Sequence, residues 1–230
     1  MIMNMHVGFA HCVIMSTSIG VPQGSILGPL LFILYINDFS NALKLAESFL
    51  FADDTSVYYS RSDIKQLDTF LNSELQNIDI WMKSNKLSVN ISKTNYLIFR
   101  PRQRKINTNL SLQYDNQTLS QKQNIKFLGV YIDENLSWKT HINYICKKIA
   151  KSVGIIYRSR YLLSSATKLS LYYTLIYPYL TYCNIVWSST YVTNLNRIHL
   201  LQKRVVRALM NSDYRAHSGP LFKHLKILDI

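Results

Sequence analysis

The spacing of apolar and polar residues predicts that the first half of the chain mixes helices and strands. The uncharged run after Pro29, LLFILYINDF, predicts a short buried helix, with proline in the first turn, where its missing N–H does no harm. The stretch ESFLFADDTSVYY predicts two strands joined by a tight turn that contains Asp53 and Asp54. From Ser62, apolar residues recur at helical spacing, and this helix is expected to end near Asn85.

More strands are predicted on both sides of a basic connection, RPRQRK. SVNISKTNYLIF predicts a turn and then a strand that ends at Phe99, LSLQYDNQTLS predicts a hairpin about Asp115 and Asn116, and IKFLGVYID predicts another strand. Together these elements favour the α+β class for residues 1–133, as an antiparallel sheet with helices on one face.

After Ser137 the pattern becomes helical. One predicted helix has an apolar stripe formed by Ile142, Ile145, Ile149, Val153 and Ile156. A later helix has another stripe formed by Ile198, Leu201, Val205 and Leu209. Residues 134–230 are therefore expected to form an all-helical region.

The formal net charge of +13 is unevenly distributed. Residues 1–100 hold 7 Lys or Arg and 8 Asp or Glu, whereas residues 101–230 hold 19 and 5. A basic region suits a polyanion such as nucleic acid, because each cation that neutralises a phosphate releases condensed counterions. A solvated helical surface and attraction to anionic lipid are the alternatives.

Cysteine usage and apolar runs indicate an intracellular protein that is neither secreted nor membrane-embedded. The three cysteines are far apart and form no C-x-x-C pair, so neither a disulfide framework nor a zinc site is suggested. The run ILGPLLFILYI is too short for a membrane span and contains Gly28 and Pro29. No basic region precedes the first apolar residues, as it would in a signal peptide.

The adjacent carboxylates of Asp53 and Asp54 are the first candidate for chemistry. Two acids at a hairpin tip are costly unless a cation joins them, and closely spaced oxygen ligands suit Mg²⁺ or Mn²⁺. Adjacent strand residues point to opposite faces, so we expect the first acid to share a site with carboxylates of a neighbouring strand. The second would be a supporting or partial ligand. The alternative is an ordinary solvated turn, in which aspartate is common.

The loop GVPQGSILGPLLF is the second candidate. Gly20, Gly24 and Gly28 would allow close backbone approach to a flat base or a sugar-phosphate, and Gln23 offers an amide. A simple helix-entry loop is the alternative.

These two motifs, in this order and spacing, closely resemble the palm of the reverse transcriptases of non-LTR, LINE- and jockey-like retrotransposons. LSVNISKTNYLIF resembles the next motif of that family, and IKFLGVYIDENLSWKTHI resembles its primer grip and the entry to its thumb. IYPYLTYCNIVW and LQKRVVRALM resemble the tail after the polymerase domain, so the resemblance runs from about Gly20 onward. It implies a partial palm in residues 1–133 and a thumb and C-terminal region in residues 134–230.

The resemblance also implies roles for individual residues. Asp53 would bind both catalytic metals, Mg²⁺ or Mn²⁺, with Asp54 as its weaker companion. Lys93 would lie near the leaving pyrophosphate, whose charge a lysine can offset or whose oxygen it can protonate. Without the resemblance, Lys93 is equally well explained as a surface lysine that precedes a strand.

The remaining implied roles concern nucleic acid. The expected partners are an RNA template, a DNA primer and a dNTP, in the nucleus or cytoplasm. Gln23 and Gly24 would contact the nucleotide and template, and Phe127, Leu128 and Gly129 the primer end. The exposed cations expected to contact the nucleic-acid backbone are Lys147, Lys148 and Lys151.

One component of the expected metal site is missing from this sequence. A two-metal site needs a further carboxylate, which the family carries upstream of the GVPQG loop in a phrase ending like Ala-Phe-Asp. The 19 residues before Gly20 contain neither Asp nor Glu, and nothing in the pattern brings Asp38 or Glu47 to the site. We therefore expect the C-terminal part of a retrotransposon polymerase, as a truncated copy, a degenerate remnant or an incomplete gene model, that does not polymerise DNA alone.

Two other hypotheses remain open at this point. The chain could be a non-catalytic nucleic-acid binder in which the Asp pair is vestigial. It could also have no function of its own, in which case apolar surface and an unpaired sheet edge should be exposed.

Overall fold

The chain contains both helices and strands, as the α+β class requires. The computed structural model describes residues 2–8 as backbone and residues 24–60, 67–103 and 110–229 in full. Two compact units are present, Met1–Ile125 and Lys126–Ile230. The strands are β1 (Ile2–Gly8), β2 (Glu47–Phe51), β3 (Asp54–Tyr58), β4 (Ser88–Val89), β5 (Asn95–Leu97), β6 (Gln113–Tyr114), β7 (Gln117–Thr118), β8 (Ser120–Gln121), β9 (Asn124–Phe127) and β10 (Val130–Asp133). The helices are α1 (Leu27–Ile36), α2 (Leu67–Ser84), α3 (Lys139–Ser159), α4 (Ser165–Leu175), α5 (Tyr177–Thr181), α6 (Asn184–Trp187), α7 (Val192–Leu209) and α8 (Ser218–Leu225).

A six-stranded sheet forms the first unit. Its strand order is β2-β3-β1-β5-β8, with β4 paired to β1. The β5–β8 pair is parallel, and the pairs that involve β1, β2 and β3 are antiparallel. The strand that contains Asp54 therefore has a hydrogen-bonded neighbour on each side, β2 and β1.

Helix α2 covers one face of this sheet. Val57 of β3 and Tyr59 just after it belong to the same buried cluster as Leu71, Leu75 and Ile78 of α2. Because strand residues alternate between faces, Asp54 and its register partner Phe51 in β2 lie on the opposite face. The predicted end of this helix near Asn85 is confirmed, whereas its predicted cap at Ser62 lies outside the described residues.

A buried acid fixes α2 to the chain ahead of β2. The Glu74 side chain is only 2% exposed. Its two carboxylate oxygens accept hydrogen bonds from the backbone N–H of Lys44, at 3.4 and 3.0 Å. Burial of a carboxylate is costly unless it is hydrogen-bonded, so this contact holds the 43–46 connection in place.

The prediction that α1 is buried is wrong. The described residues leave Leu27, Leu30, Ile33 and Leu34 exposed, and Ile36 is the buried residue of this helix. The helix is apolar on all sides, so no single face can be covered by one neighbouring element. Among the described residues, no helix is long and apolar enough to cross a membrane.

One hairpin prediction and one strand prediction had different outcomes. The hairpin about Asp115 and Asn116 is confirmed, since β6 and β7 flank these residues and both have positive φ, +47° and +61°. The single strand predicted for IKFLGVYID is wrong. Leu128 and Gly129 adopt φ values of +43° and +87°, which an extended strand does not allow, and they separate β9 from β10.

Helices α3 and α7 provide the core of the second unit. The predicted α3 stripe is confirmed, because Ile142, Ile145, Ile149, Val153 and Ile156 are all buried. They belong to one buried cluster with Ile198, Val205 and Leu209 of α7. This cluster also contains Trp187 and Tyr172. Residues 134–225 form no strand, and they contain all the helices of this unit.

Loss of the Glu74 contact should weaken the first unit measurably. Glu74→Ala leaves the Lys44 N–H without its acceptor, so we expect the free energy of unfolding to fall by about 1–3 kcal/mol. Urea denaturation followed by circular dichroism measures this change. Gln76→Ala, at an exposed position of the same helix, is the matched control and should stay within about 0.5 kcal/mol of the original chain. Equal stabilities of the two variants would contradict the role of Glu74.

Candidate functional site

The Asp pair lies at the tip of the β2–β3 hairpin, as the sequence predicts. Phe51 and Asp54 are register partners, so the turn consists of Ala52 and Asp53. Ala52 adopts φ +50°, a left-handed conformation that favours a short turn but costs an L residue about 1 kcal/mol. Asp53 is exposed and Asp54, the first residue of β3, is half-buried.

The position beside Asp54 is occupied by β1. His6 is the register partner of Asp54, and β1 (IMNMHVG) contains no acid. No strand is predicted here from the sequence, although Asn4 and His6 alternate with the apolar Met3, Met5 and Val7, a pattern typical of a half-buried strand. A neighbouring strand is therefore present, but it brings no carboxylate to the hairpin.

Neither of the other acids near these elements replaces the missing one. Glu47 lies at the far end of β2, four residues from Phe51 and hence about 13 Å along the strand. Its carboxylate accepts a hydrogen bond from the hydroxyl of Tyr58. Asp38 lies beside a groove formed with Asn77 and Trp81 of α2.

The described donor set fits a two-ion site poorly. The two carboxylates have the right chemistry for Mg²⁺ or Mn²⁺, but the first faces solvent and no third acid joins them. In the described parts of the chain, no group of three or more His, Cys, Asp and Glu side chains could hold a metal ion. By themselves, Asp53 and Asp54 do not provide the shared ligands on both ions that a two-metal clamp requires.

Lys93 occupies an exposed turn that leads into β5. Its backbone N–H donates to Asn90 O at 3.1 Å, and its carbonyl accepts from the Asn95 side chain at 3.0 Å. Asn95 pairs with Asn4, two residues before His6, so Lys93 lies toward the same end of the sheet as Asp54. With β1 between them, the two backbones are roughly 10 Å apart.

The predicted nucleotide loop is only partly described. Gln23 lies outside the described residues. Gly24 is in an exposed turn before α1 with φ +87°, a conformation that L side chains rarely adopt. A Cβ at this position would meet no atom within 4 Å. The position therefore favours glycine because of its backbone conformation and not because of crowding by neighbouring atoms.

The predicted primer-end residues form the tip of the β9–β10 hairpin. Phe127 ends β9, and Leu128 with Gly129 makes the turn. The hydroxyl of Tyr182 donates to Leu128 O at 2.6 Å, and a Cβ on Gly129 would lie 3.3 Å from the Tyr182 ring. Tyr182 therefore supports the turn and leaves little room for a side chain at position 129.

The three predicted backbone-contacting lysines are exposed on α3. Lys147, Lys148 and Lys151 follow i, i+1, i+4 spacing and so project from one side of the helix. The Lys148 ammonium lies 5.6 Å from the centroid of the Tyr144 ring. This side of α3 is separate from the buried stripe and is available to a polyanion.

Comparison with known proteins identifies relatives over most of the chain. A model of the family described as reverse transcriptase (RNA-dependent DNA polymerase) matches residues 9–132. Three relatives from Drosophila melanogaster are the probable RNA-directed DNA polymerases from transposons X-element and BS, and the RNA-directed DNA polymerase from mobile element jockey. They are 28%, 26% and 25% identical over 92%, 90% and 90% of this chain, which spans 24% of the length of each. No solved structure is significantly similar to it.

A glycine substitution tests the β9–β10 turn, and a second one in α3 serves as its control. Gly129→Ala places a side chain at φ +87° and against Tyr182, so we expect the free energy of unfolding to fall by about 1–2 kcal/mol. Gly154→Ala, in the interior of α3 with no atom within 4 Å of its Cβ, is the matched control. It should raise stability by about 0.5–1 kcal/mol. Thermal denaturation measures both, and a neutral Gly129→Ala would show that the turn tolerates a side chain.

Proposed function

This chain belongs to the reverse transcriptase (RNA-dependent DNA polymerase) family, and we propose that it is a polymerase segment that binds nucleic acid but does not extend a primer by itself. The proposal covers a segment because the relatives are about four times longer. In it, residues 1–133 are part of the palm, and residues 134–230 are the thumb and C-terminal region.

The hairpin tip is the catalytic part of this proposal. Asp53 and Asp54 would bind the divalent ion, Mg²⁺ or Mn²⁺, and such an ion supplies activation of a primer hydroxyl and stabilisation of a leaving oxygen. Lys93, at the same end of the sheet, would lie closest to the pyrophosphate. Gln23 and Gly24 would contact the dNTP and the template.

One observation carries the expectation of inactivity. The strand paired with β3 places His6, and no acid, opposite Asp54. An in-line displacement assisted by two ions needs carboxylates that contact both, and this donor set provides too few. The full site would require a carboxylate from a further polypeptide segment.

Binding of nucleic acid without catalysis is the second candidate function. The exposed side of α3 formed by Lys147, Lys148 and Lys151 favours it, since such cations neutralise backbone phosphates without reading sequence. Phe127, Leu128 and Gly129 at the supported β9–β10 turn would lie near the primer end. Neither contact depends on the Asp pair.

Primer extension tests the proposed function. The full chain and its Asp53→Asn variant are each assayed on a poly(rA) template with an oligo(dT) primer, in Mg²⁺ and separately in Mn²⁺. We expect no dTTP incorporation by either protein above a reaction without protein, because the ion site is incomplete. A commercial reverse transcriptase confirms that the template is competent.

Incorporation of dTTP by the original chain has one of two meanings, which the Asp53→Asn variant separates. Incorporation by the original chain that disappears in Asp53→Asn would overturn the proposed inactivity and establish a complete catalytic site. Incorporation that persists in Asp53→Asn identifies a contaminating polymerase, which repurification of both proteins through the same column removes before the comparison is made.

A further inference from the structure

A groove in the second unit has a lining that the family roles do not use. It lies between the C-terminal half of α3, α7 and the loop after α7, and its volume is about 730 Å³. Pockets that hold small ligands typically measure about 300–1,000 Å³. Its lining includes three arginines and three tyrosines: Arg160, Arg204, Arg207, Tyr157, Tyr161 and Tyr214.

The charge of the groove is positive. Among the described lining residues, three arginines face one acid, Asp213, whose carboxylate accepts a hydrogen bond from the Arg215 backbone at 2.8 Å. Behind the wall, the Lys168 side chain is 2% exposed and its ammonium donates to the lining residue Asn211 at 3.1 Å. An ammonium held in this way adds to the positive potential that an anion in the groove would experience.

Two of the arginines are held in fixed positions. The Arg160 guanidinium lies 3.7 Å from the Tyr157 ring centroid and 4.4 Å from that of Tyr161, and it donates to Tyr157 O at 2.8 Å. Arg207 donates its Nε–H to Ala216 O at 2.8 Å. A guanidinium has five N–H donors, so each keeps further donors for an anion and loses little side-chain entropy on binding one.

The stacking and apolar surfaces complete the groove. Tyr157 and Tyr161 have Arg160 against their rings, and Tyr214 is 73% exposed at the rim. Val153 and Ala208 form a buried apolar floor. Gly154 lines the groove as well, and a Cβ there would meet no atom within 4 Å, so the groove has free space beside this residue.

We propose that this groove binds an unpaired nucleotide of single-stranded RNA or DNA. The phosphate lies against Arg204 and Arg207, and the base stacks on Tyr214 above the apolar floor. Proteins that bind single strands combine cationic grooves with exposed aromatic rings in this way, because every base has a face on which to stack. The groove differs from the duplex-contacting lysines, which lie roughly 100° away around α3.

Fluorescence anisotropy on the full chain tests the proposal with labelled oligo(dT), an abasic strand of equal length and a DNA duplex. Tyr214→Ala should weaken oligo(dT) binding about 5- to 150-fold, the range for stacking of one base, and Tyr214→Phe should leave it nearly unchanged. Gly154→Phe, which fills the groove, should weaken it at least about tenfold, whereas Gly154→Ala should not.

The other arms separate this proposal from its alternatives. Replacement of Lys147, Lys148 and Lys151 by Ala should weaken duplex binding. It should leave unchanged the difference in affinity between oligo(dT) and the abasic strand. Competition by dTMP as strong as by unlabelled oligo(dT) would identify a free-nucleotide site instead. Tyr214→Ala and Gly154→Phe with unchanged oligo(dT) affinity, or equal affinity for the abasic strand, would overturn the proposal. Primer extension is a separate readout, so failure here leaves the proposed function standing.

Discussion

The antiparallel pairing of β1 with β3 is the contact on which the sheet and its hairpin tip both depend. It gives β3 a hydrogen-bonded neighbour on each side and fixes which residue lies opposite Asp54. The same register that stabilises the hairpin places His6 where a second strand could have supplied an acid. The stability of the sheet and the set of side chains beside Asp54 are thus decided by one strand.

Both units leave large apolar residues exposed, among them Leu162 and Ile185 of the second unit. In the second unit, the apolar stripes of α3 and α7 pack against each other, and lysine and arginine side chains of these helices face outward. In the first, Leu30 and Leu34 of α1 are exposed, and so are Phe49 and Phe51 on β2, the terminal strand in the described sheet order. An apolar edge strand is an aggregation hazard, and exposed surface of this kind is what the hypothesis of a chain without a function of its own predicts.

Local patterns predicted local structure well, and long-range placement poorly. The Asp115–Asn116 hairpin and the α3 stripe follow from turn chemistry and helical periodicity, which involve only neighbouring residues. The pairing of β1 with β3 joins residues about fifty positions apart, and burial of α1 depends on partners that periodicity does not reveal. The Arg and Tyr groove was missed for the same reason, because Arg160 and Tyr214 line one groove only when α3 and α7 pack.

The Mn²⁺ stoichiometry tests most directly whether the carboxylates of the hairpin tip form an incomplete site. Isothermal titration of the full chain is compared with Asp54→Asn and with His6→Asp, which brings a carboxylate to the register position opposite Asp54. We expect at most one weakly bound ion in the original chain, none in Asp54→Asn, and tighter binding in His6→Asp. Two tightly bound ions in the original chain, both lost in Asp54→Asn, would contradict an incomplete site.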